Sequence, residues 1–248
     1  MDTSKDLYLD LMKRCLTDLI YADVQEKPNL QLEPFNESKR LAGLDWPTHA
    51  HTMIGMRRLD NLQFCVEDVL TKGIPGDLIE TGVWRGGATI FMRAILKAYA
   101  VKDRYVWVAD SFAGLPHPNP HKYPADAGDT HHDFTELAVP LDRVKSNFAK
   151  YNLLDDQVRF LESWFRDTLP NAPIQRLAIL RLDGDMYEST MDVLVHLYPK
   201  LSKGGYLIVD DYGAIPSCRQ AVDDYRNAHG ITDEIRQIDW TGVYWQCT

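Results

Sequence analysis

The sequence predicts an α/β protein built on a doubly wound, mostly parallel sheet, and three observations carry that expectation. Short apolar runs that end in a polar or acidic residue recur along the chain: DLIETG (77–82), YVWVAD (105–110), QVRFLES (157–163), LAILRLD (177–183) and GYLIVDD (205–211). Segments of helical patterning, such as ATIFMRAILKAYA and STMDVLVHLYPKL, lie between most of them, and this alternation is what βαβ units produce. The ending RQIDWTGVYWQCT has two β-rich runs meeting at Thr241-Gly242, which reads as an antiparallel hairpin that finishes the sheet.

Taken in order, residues 5–21 place Leu7, Leu11, Cys15, Leu16, Leu19 and Ile20 at helical spacing, so an amphipathic helix that packs on a neighbour opens the chain. The stretch 25–53 carries three prolines, polar residues and the aromatics Phe35 and Trp46; it is too long for a simple connection and has the character of a lid. A second helix is expected from about Ile54 to Leu70, ended by TKGIPG, where Gly73, Pro75 and Gly76 punctuate the chain. Residues 1–72 therefore read as N-terminal helices and lid, and 73–248 as the core of one structural unit.

A chain of 248 residues with 45% hydrophobic and 25% charged residues has ordinary globular composition. Its net charge of −9, with no long Lys/Arg run, opposes a phosphate-backbone partner, so nucleic acid is excluded as a ligand class. The N-terminus carries acids where a secretory signal is basic, and no apolar run approaches the roughly 20 residues that span a bilayer. A soluble, cytoplasmic protein with no membrane partner is expected. The cysteines Cys15, Cys65, Cys218 and Cys247 have no CxxC spacing and read as reduced packing residues.

Chemistry concentrates at the expected strand ends, where open α/β sheets bind ligands. ETGVWRGGAT (80–89) follows the first core strand, and its small residues let the backbone approach a ligand before a helix begins; a plain strand-to-helix turn uses the same residues. The spacing Gly82-x-x-x-Gly86-Gly87 lacks the first GxG of a dinucleotide fingerprint, so NAD is not supported. Glu80 is placed to attract the ammonium and sulfonium charges of S-adenosylmethionine, and Asp110, one strand on, to accept from ribose hydroxyls. Ser163, Trp164 and Phe165 follow the third strand and make either an adenine edge or part of the core. The Pro-, Gly- and His-rich segment 111–134 is either a disordered excursion or an active-site wall, and its His131 and His132 read as a polar loop ahead of a metal cluster.

Asp183 and Asp185 in LRLDGDMYEST and the pair Asp210/Asp211 in VDDY end the fourth and fifth strands, which are neighbours in such a sheet. Carboxylates brought together this way repel and call for a cation. Oxygen-only donors suit a hard ion such as Mg²⁺, while Asp185 is placed to act as a general base. A turn around Gly184 with carboxylates capping backbone amides is the chemically inert alternative.

The motifs DLIETGVWRGGAT, DSFAGLP, LRLDGDMYEST and GGYLIVDDYG together resemble the macrocin O-methyltransferase (TylF/MycF) family, from about His51 to the C-terminus. These are class I enzymes that use S-adenosylmethionine and Mg²⁺ to methylate hydroxyls of antibiotic sugars and related natural products. The resemblance implies a seven-stranded, Rossmann-like sheet, a homodimer, a lid over the acceptor pocket, and a small-molecule glycoside as acceptor. It implies cofactor contacts at Thr52, Met53, Glu80, Thr81, Gly82, Arg85, Gly86, Asp110, Ser111, Gly114, Ser163, Trp164 and Asp183. Asp183, Asp210 and Asp211 become the metal ligands, with Asp183 and Asp185 as the catalytic pair and Asp185 as the base. Ser163 stands where the pattern calls for glycine. A Mg²⁺-dependent phosphatase of the DxD type and a non-catalytic S-adenosylmethionine-binding module are the competing readings; the first normally places its DxD after the first core strand, and the second would lose the acids.

Overall fold

The computed structural model describes residues 3–26 and 32–248. Helix α1 (Ser4–Leu16) begins with a capping box in which the Thr3 hydroxyl accepts from the Asp6 amide and the Asp6 carboxylate accepts from the Thr3 amide. It buries Leu9, Met12 and Leu16, whereas Leu7 and Leu11, expected on the buried stripe, are more than half exposed. The helix ends at Leu16 instead of running to residue 21, because Thr17 caps it and Asp18 takes a left-handed backbone.

The stretch 25–53 has structure of its own. Strands β1 (Gln25–Glu26) and β2 (Leu32–Glu33) pair antiparallel, and α2 (Glu37–Ala42) is N-capped by Asn36 and closed by left-handed Gly43. The buried Arg40 pairs with buried Asp45 at 2.8 Å and donates to the carbonyls of Thr17 and Asp23, which fastens α2 to the end of α1. Helix α3 (Gly55–Thr71) follows, close to the expected bounds.

The main sheet comprises β3 (Asp77–Thr81), β4 (Val106–Asp110), β5 (Val158–Glu162), β6 (Leu177–Leu182), β7 (Leu201–Val209), β8 (Arg236–Gln237) and β9 (Val243–Gln246). Their spatial order is β5-β4-β3-β6-β7-β9-β8. Strands β3 to β7 are mutually parallel, and β9 runs antiparallel to both β7 and β8, as the ending of the sequence predicts. Helices α4 (Gly87–Ala98), α5 (Leu141–Lys150), α6 (Phe165–Thr168), α7 (Tyr187–Leu197) and α8 (Pro216–His229) complete the α/β/α layering. One core joins α1, α3, α4 and α5 to a sheet face, and the other joins α7 and α8 to the opposite face. Helix α4 is apolar nearly all round because it is covered by α1 as well as by the sheet.

The chain leaves β3 toward one edge through β4 and β5, then crosses back to β6 and β7, so the topological switch lies between β3 and its two neighbours. Register sets the site's floor. Thr81 is level with Ala109 and Leu182, and Leu182 with Val209, so Gly82, Asp110, Asp183 and Asp210 emerge at one height. The segment after β4 is a wall rather than an excursion: it forms 3-10 turns at Pro124–Asp126, His131–Asp133 and Thr135–Leu137. Buried Asp126 pins it by accepting from the Tyr187 and Glu188 amides at 2.7 and 3.0 Å, capping the N-terminus of α7.

Candidate active site

A cleft of about 340 Å³ opens over the strand ends. Of the residues expected to hold the cofactor, Thr52, Met53, Glu80, Gly82, Asp110, Ser111, Gly114, Trp164 and Asp183 line it. Four others do not. Thr81 is fully buried with its hydroxyl directed at the Arg181 carbonyl, and Arg85 turns away to donate to the carbonyls of Pro47 and Ala50. Gly86 faces Val144 of α5, and Ser163 lies behind Trp164 with its amide on the Asp110 carbonyl.

Backbone geometry explains the glycine turn. Gly82 has φ +84°, and a Cβ there would sit 1.6 Å from the Asp183 carbonyl oxygen, so only glycine fits. Gly87 opens α4 hard against His51 and Thr52, which brings the 51–53 strip to the cleft. Asp110 accepts from the Val83 and Phe112 amides at 2.7 and 2.8 Å; burial raises its carboxyl and these amides lower it. Ser163 has φ +152°, a conformation that favours glycine, and this accounts for the expectation of glycine at that position. Trp84, Phe112 and Asp185 are also non-glycine residues with positive φ, and all three follow strands of the sheet.

The acids at the other end do converge. Asp183, Asp210 and Asp211 each offer an oxygen within 4.8 Å of the others, and among the described residues they are the one such group of metal-donor side chains. Burial pushes Asp183 up to about 7, with Asp210 adding to it and Arg181 opposing, and pushes Asp185 up to about 6, with His131 opposing. Asp211 is raised well above the carboxylate range by burial and by Asp185, Asp183 and Asp210.

Two buried arginines, not singled out from the sequence, supply part of the positive charge this cluster calls for. Arg181 of β6 contacts Glu80 at 2.5 Å, Asp183 at 2.8 Å, and Asp210. Burial disfavours its charge, but Asp210, Glu80 and Asp183 outweigh that and hold it charged. Arg58 of α3 pairs with Asp210 from the other side and with Asp239 at 3.0 Å. An arginine inside the apolar run LAILRLD was a visible signal for Arg181; nothing distinguishes Arg58 from Arg57 in sequence.

The donor set suits a hard divalent cation in being oxygen only: among the described residues Asp211 has no ion pair and Asp183 carries Arg181 on one oxygen alone, while both Asp210 oxygens carry arginines, so a cation would share Asp210 with them. It also suits the charged end of a sulfonium cofactor. Glu80 Oε2 is buried without a partner, and burial pushes the carboxyl up to about 8 with Arg181 opposing, so an ammonium donor would complete it. His131 lines the cleft with Nδ1 on Asp129 at 2.7 Å, whereas His132 pairs with Asp133 and packs on His117, so the two histidines diverge as a polar loop predicts. The mouth is apolar: Leu44, Trp46, Trp84, Ile215 and Trp240 line it, while Phe35 sits under Arg40 and Tyr123 faces a separate groove.

A seven-stranded sheet of this order, with a glycine turn after its central strand and acids after the next strands, defines a class I methyltransferase. The profile of the macrocin-O-methyltransferase (TylF) family matches residues 5–247. The chain is 57% identical to mycinamicin III 3''-O-methyltransferase of Micromonospora griseorubida, over 98% of this chain and 97% of that protein. It is 56% identical to 8-demethyl-8-(2,3-dimethoxy-alpha-L-rhamnosyl)-tetracenomycin-C 4'-O-methyltransferase of Streptomyces olivaceus, over 100% and 95%. The solved structure of the O-methyltransferase NovP superposes with a TM-score of 0.95 at 54% identity, covering 99% of this chain and 100% of that one. The chain belongs to the macrocin O-methyltransferase family and is an S-adenosylmethionine-dependent O-methyltransferase. Among the described residues no helix is long and apolar enough to cross a membrane.

Proposed function

We propose that the enzyme methylates a hydroxyl on the sugar of a glycosylated natural product, with Mg²⁺ held by Asp183, Asp210 and Asp211. The observation that carries this reading is the convergence of those three carboxylates in the cleft that also holds the glycine turn. The names of two relatives, one for a rhamnosyl group and one for a mycinamicin, support a glycoside acceptor. The apolar mouth formed by Trp46, Leu44 and Trp240 suits a bulky aglycone beyond the sugar. Bound Mg²⁺ supplies Lewis acidity that lowers the pKa of an acceptor hydroxyl.

Asp185 is the base in this reading. Its left-handed backbone sets the carboxyl beside the acid cluster, and the rise to about 6 leaves it mostly ionised at neutral pH yet basic enough to take the hydroxyl proton as the oxygen bonds to the methyl carbon and the carbon–sulfur bond breaks, its electron pair passing to the sulfonium sulfur so that S-adenosylhomocysteine leaves. Arg181 and Arg58 hold Asp210 from both sides, while the 111–138 wall and Trp46 limit water around the reacting oxygen. Exposed Leu7 and Leu11, one turn apart on α1, support assembly as a homodimer, to be checked by light scattering.

Calorimetric titration of EDTA-treated protein with S-adenosylmethionine, with and without Mg²⁺, tests the split into cofactor and metal sites. Cofactor binding should survive Asp210→Asn/Asp211→Asn while the Mg²⁺ heat disappears. With mycinamicin III as the acceptor probe, Asp185→Asn should lower kcat by about 10²–10⁴ with cofactor affinity kept. Full activity in either variant removes the proposed roles.

A further inference from the structure

We propose that Arg58 is a positioning residue that ties the acceptor-side segment 42–46 to Asp210, so that docking of that segment and binding of a divalent cation are coupled. The inference rests on the metal reading above. Each guanidinium nitrogen of this buried side chain serves a different part of the molecule: Nε donates to Asp239 at 3.0 Å, Nη1 to Asp210, and Nη2 to the Gly43 carbonyl at 3.3 Å.

The contacts close into a ring. Asp239 accepts from the Thr241 and Gly242 amides at 3.0 and 2.8 Å, which shapes the turn between β8 and β9, and the Thr241 hydroxyl donates to the Asp210 carbonyl at 2.9 Å. From the same turn, Trp240 Nε1 donates to the Ala42 carbonyl at 3.0 Å, while its ring lies 5.8 Å from the Arg58 guanidinium. The circuit therefore runs from segment 42–43 through Arg58 to Asp210, on to the 239–242 turn, and back to Ala42.

Glycines make room for it. A Cβ on Gly43 would lie 2.5 Å from Arg58 Nη2, and one on Gly55 would lie 2.4 Å from the Gly43 amide nitrogen; both residues have positive φ. With the segment docked, Arg58 has an acceptor at each of its three nitrogens, and the Asp210 carboxylate it holds lies beside Asp183 and Asp211. Releasing the segment removes the Gly43 and Ala42 contacts, so the guanidinium is held by Asp239 and Asp210 alone and its grip on the carboxylate oxygen that Arg181 does not hold is loosened. Segment 43–46 also lines the cleft, so the state of that side reaches Asp210 directly through Arg58 and, around the ring, through Trp240 and Thr241. Coupling of this kind is reciprocal: whatever docking does to cation affinity, the cation does to docking.

The test uses the intact chain with Mn²⁺ as the probe, its binding followed by electron paramagnetic resonance, and amide exchange read over 39–46. Charge is retained in Trp240→Phe, Gly43→Ala and Arg58→Lys, so electrostatics stay nearly constant while the circuit opens. Mn²⁺ dissociation constants are expected to rise about threefold to tenfold with S-adenosylhomocysteine affinity unchanged, a coupling in the usual range for linked sites. Mn²⁺ should slow exchange over 39–46 in the unmodified protein and not in Arg58→Lys. Unchanged Mn²⁺ affinity in all three variants overturns the coupling alone. Tighter binding in the variants makes Arg58 a competitor of the cation and overturns the positioning role. No Mn²⁺ binding by the unmodified protein overturns the metal reading and the coupling with it.

Discussion

At the glycine-turn end of the cleft the contacts are mostly backbone: Asp110 takes the amides of Val83 and Phe112, and Gly82 lets the turn after β3 touch the Asp183 carbonyl. At the other end the contacts are buried charges, with Glu80, Asp183 and Asp210 shared between Arg181 and Arg58. The first end is specified by backbone groups brought together by the sheet, Val83 with Asp110, 27 positions on, and Gly82 with Asp183, and it tolerates no added side chain. The second is specified by charges, two of whose pairs span 152 positions (Arg58 with Asp210) and 101 positions (Arg181 with Glu80), and it tolerates no lost partner. Damage should therefore appear as a steric cost at one end and as a pH-dependent cost at the other.

The largest effect is expected from Arg181→Met, which leaves buried Glu80 and Asp210 and half-buried Asp183 short of a cation and should cost about 3–5 kcal/mol in urea unfolding. The pH dependence has a definite sign. Glu80 and Asp183 have folded-state pKa values raised to about 8 and 7, so the stability they contribute is full below pH about 4 and is lost as pH rises through those values. The penalty of the substitution should accordingly be larger at pH 8 than at pH 5. An equal penalty at both would break the contrast between the two ends.

Gly82→Ala should cost about 2–3 kcal/mol through the forbidden φ and the collision with Asp183, and it should do so equally at pH 5 and pH 8. A pH-dependent loss there would mean that the turn acts through the acids. The smallest effect is expected at Ser163, where φ is +152°. Ser163→Gly should stabilise the fold by up to about 1 kcal/mol by relieving that backbone, and a loss of stability in thermal unfolding would show that the serine is held for another reason.

Much of this is legible in the amino-acid sequence. The order of strands and helices, the hairpin at Thr241-Gly242, the glycine turn after β3 and the level of Asp110, Asp183 and Asp210 all follow from apolar periodicity and turn chemistry, which act between near neighbours. Even the oddity of Ser163 was readable, because a φ that favours glycine leaves its mark on the residue expected there.

The tertiary structure alone decided which members of those motifs face the cleft. Thr81, Arg85, Gly86 and Ser163 sit in the right strings and point elsewhere, since direction depends on what packs behind each turn. It also decided that α1 buries Leu9 and Met12 in place of Leu7 and Leu11, and that Asp126 caps a helix some 60 positions away. Above all it supplied the counter-ions: the acid cluster is written locally at two strand ends, but Arg58 comes to Asp210 from 152 positions away. Pairing across such distances is settled by burial, where an unmatched charge costs more than any local propensity can repay.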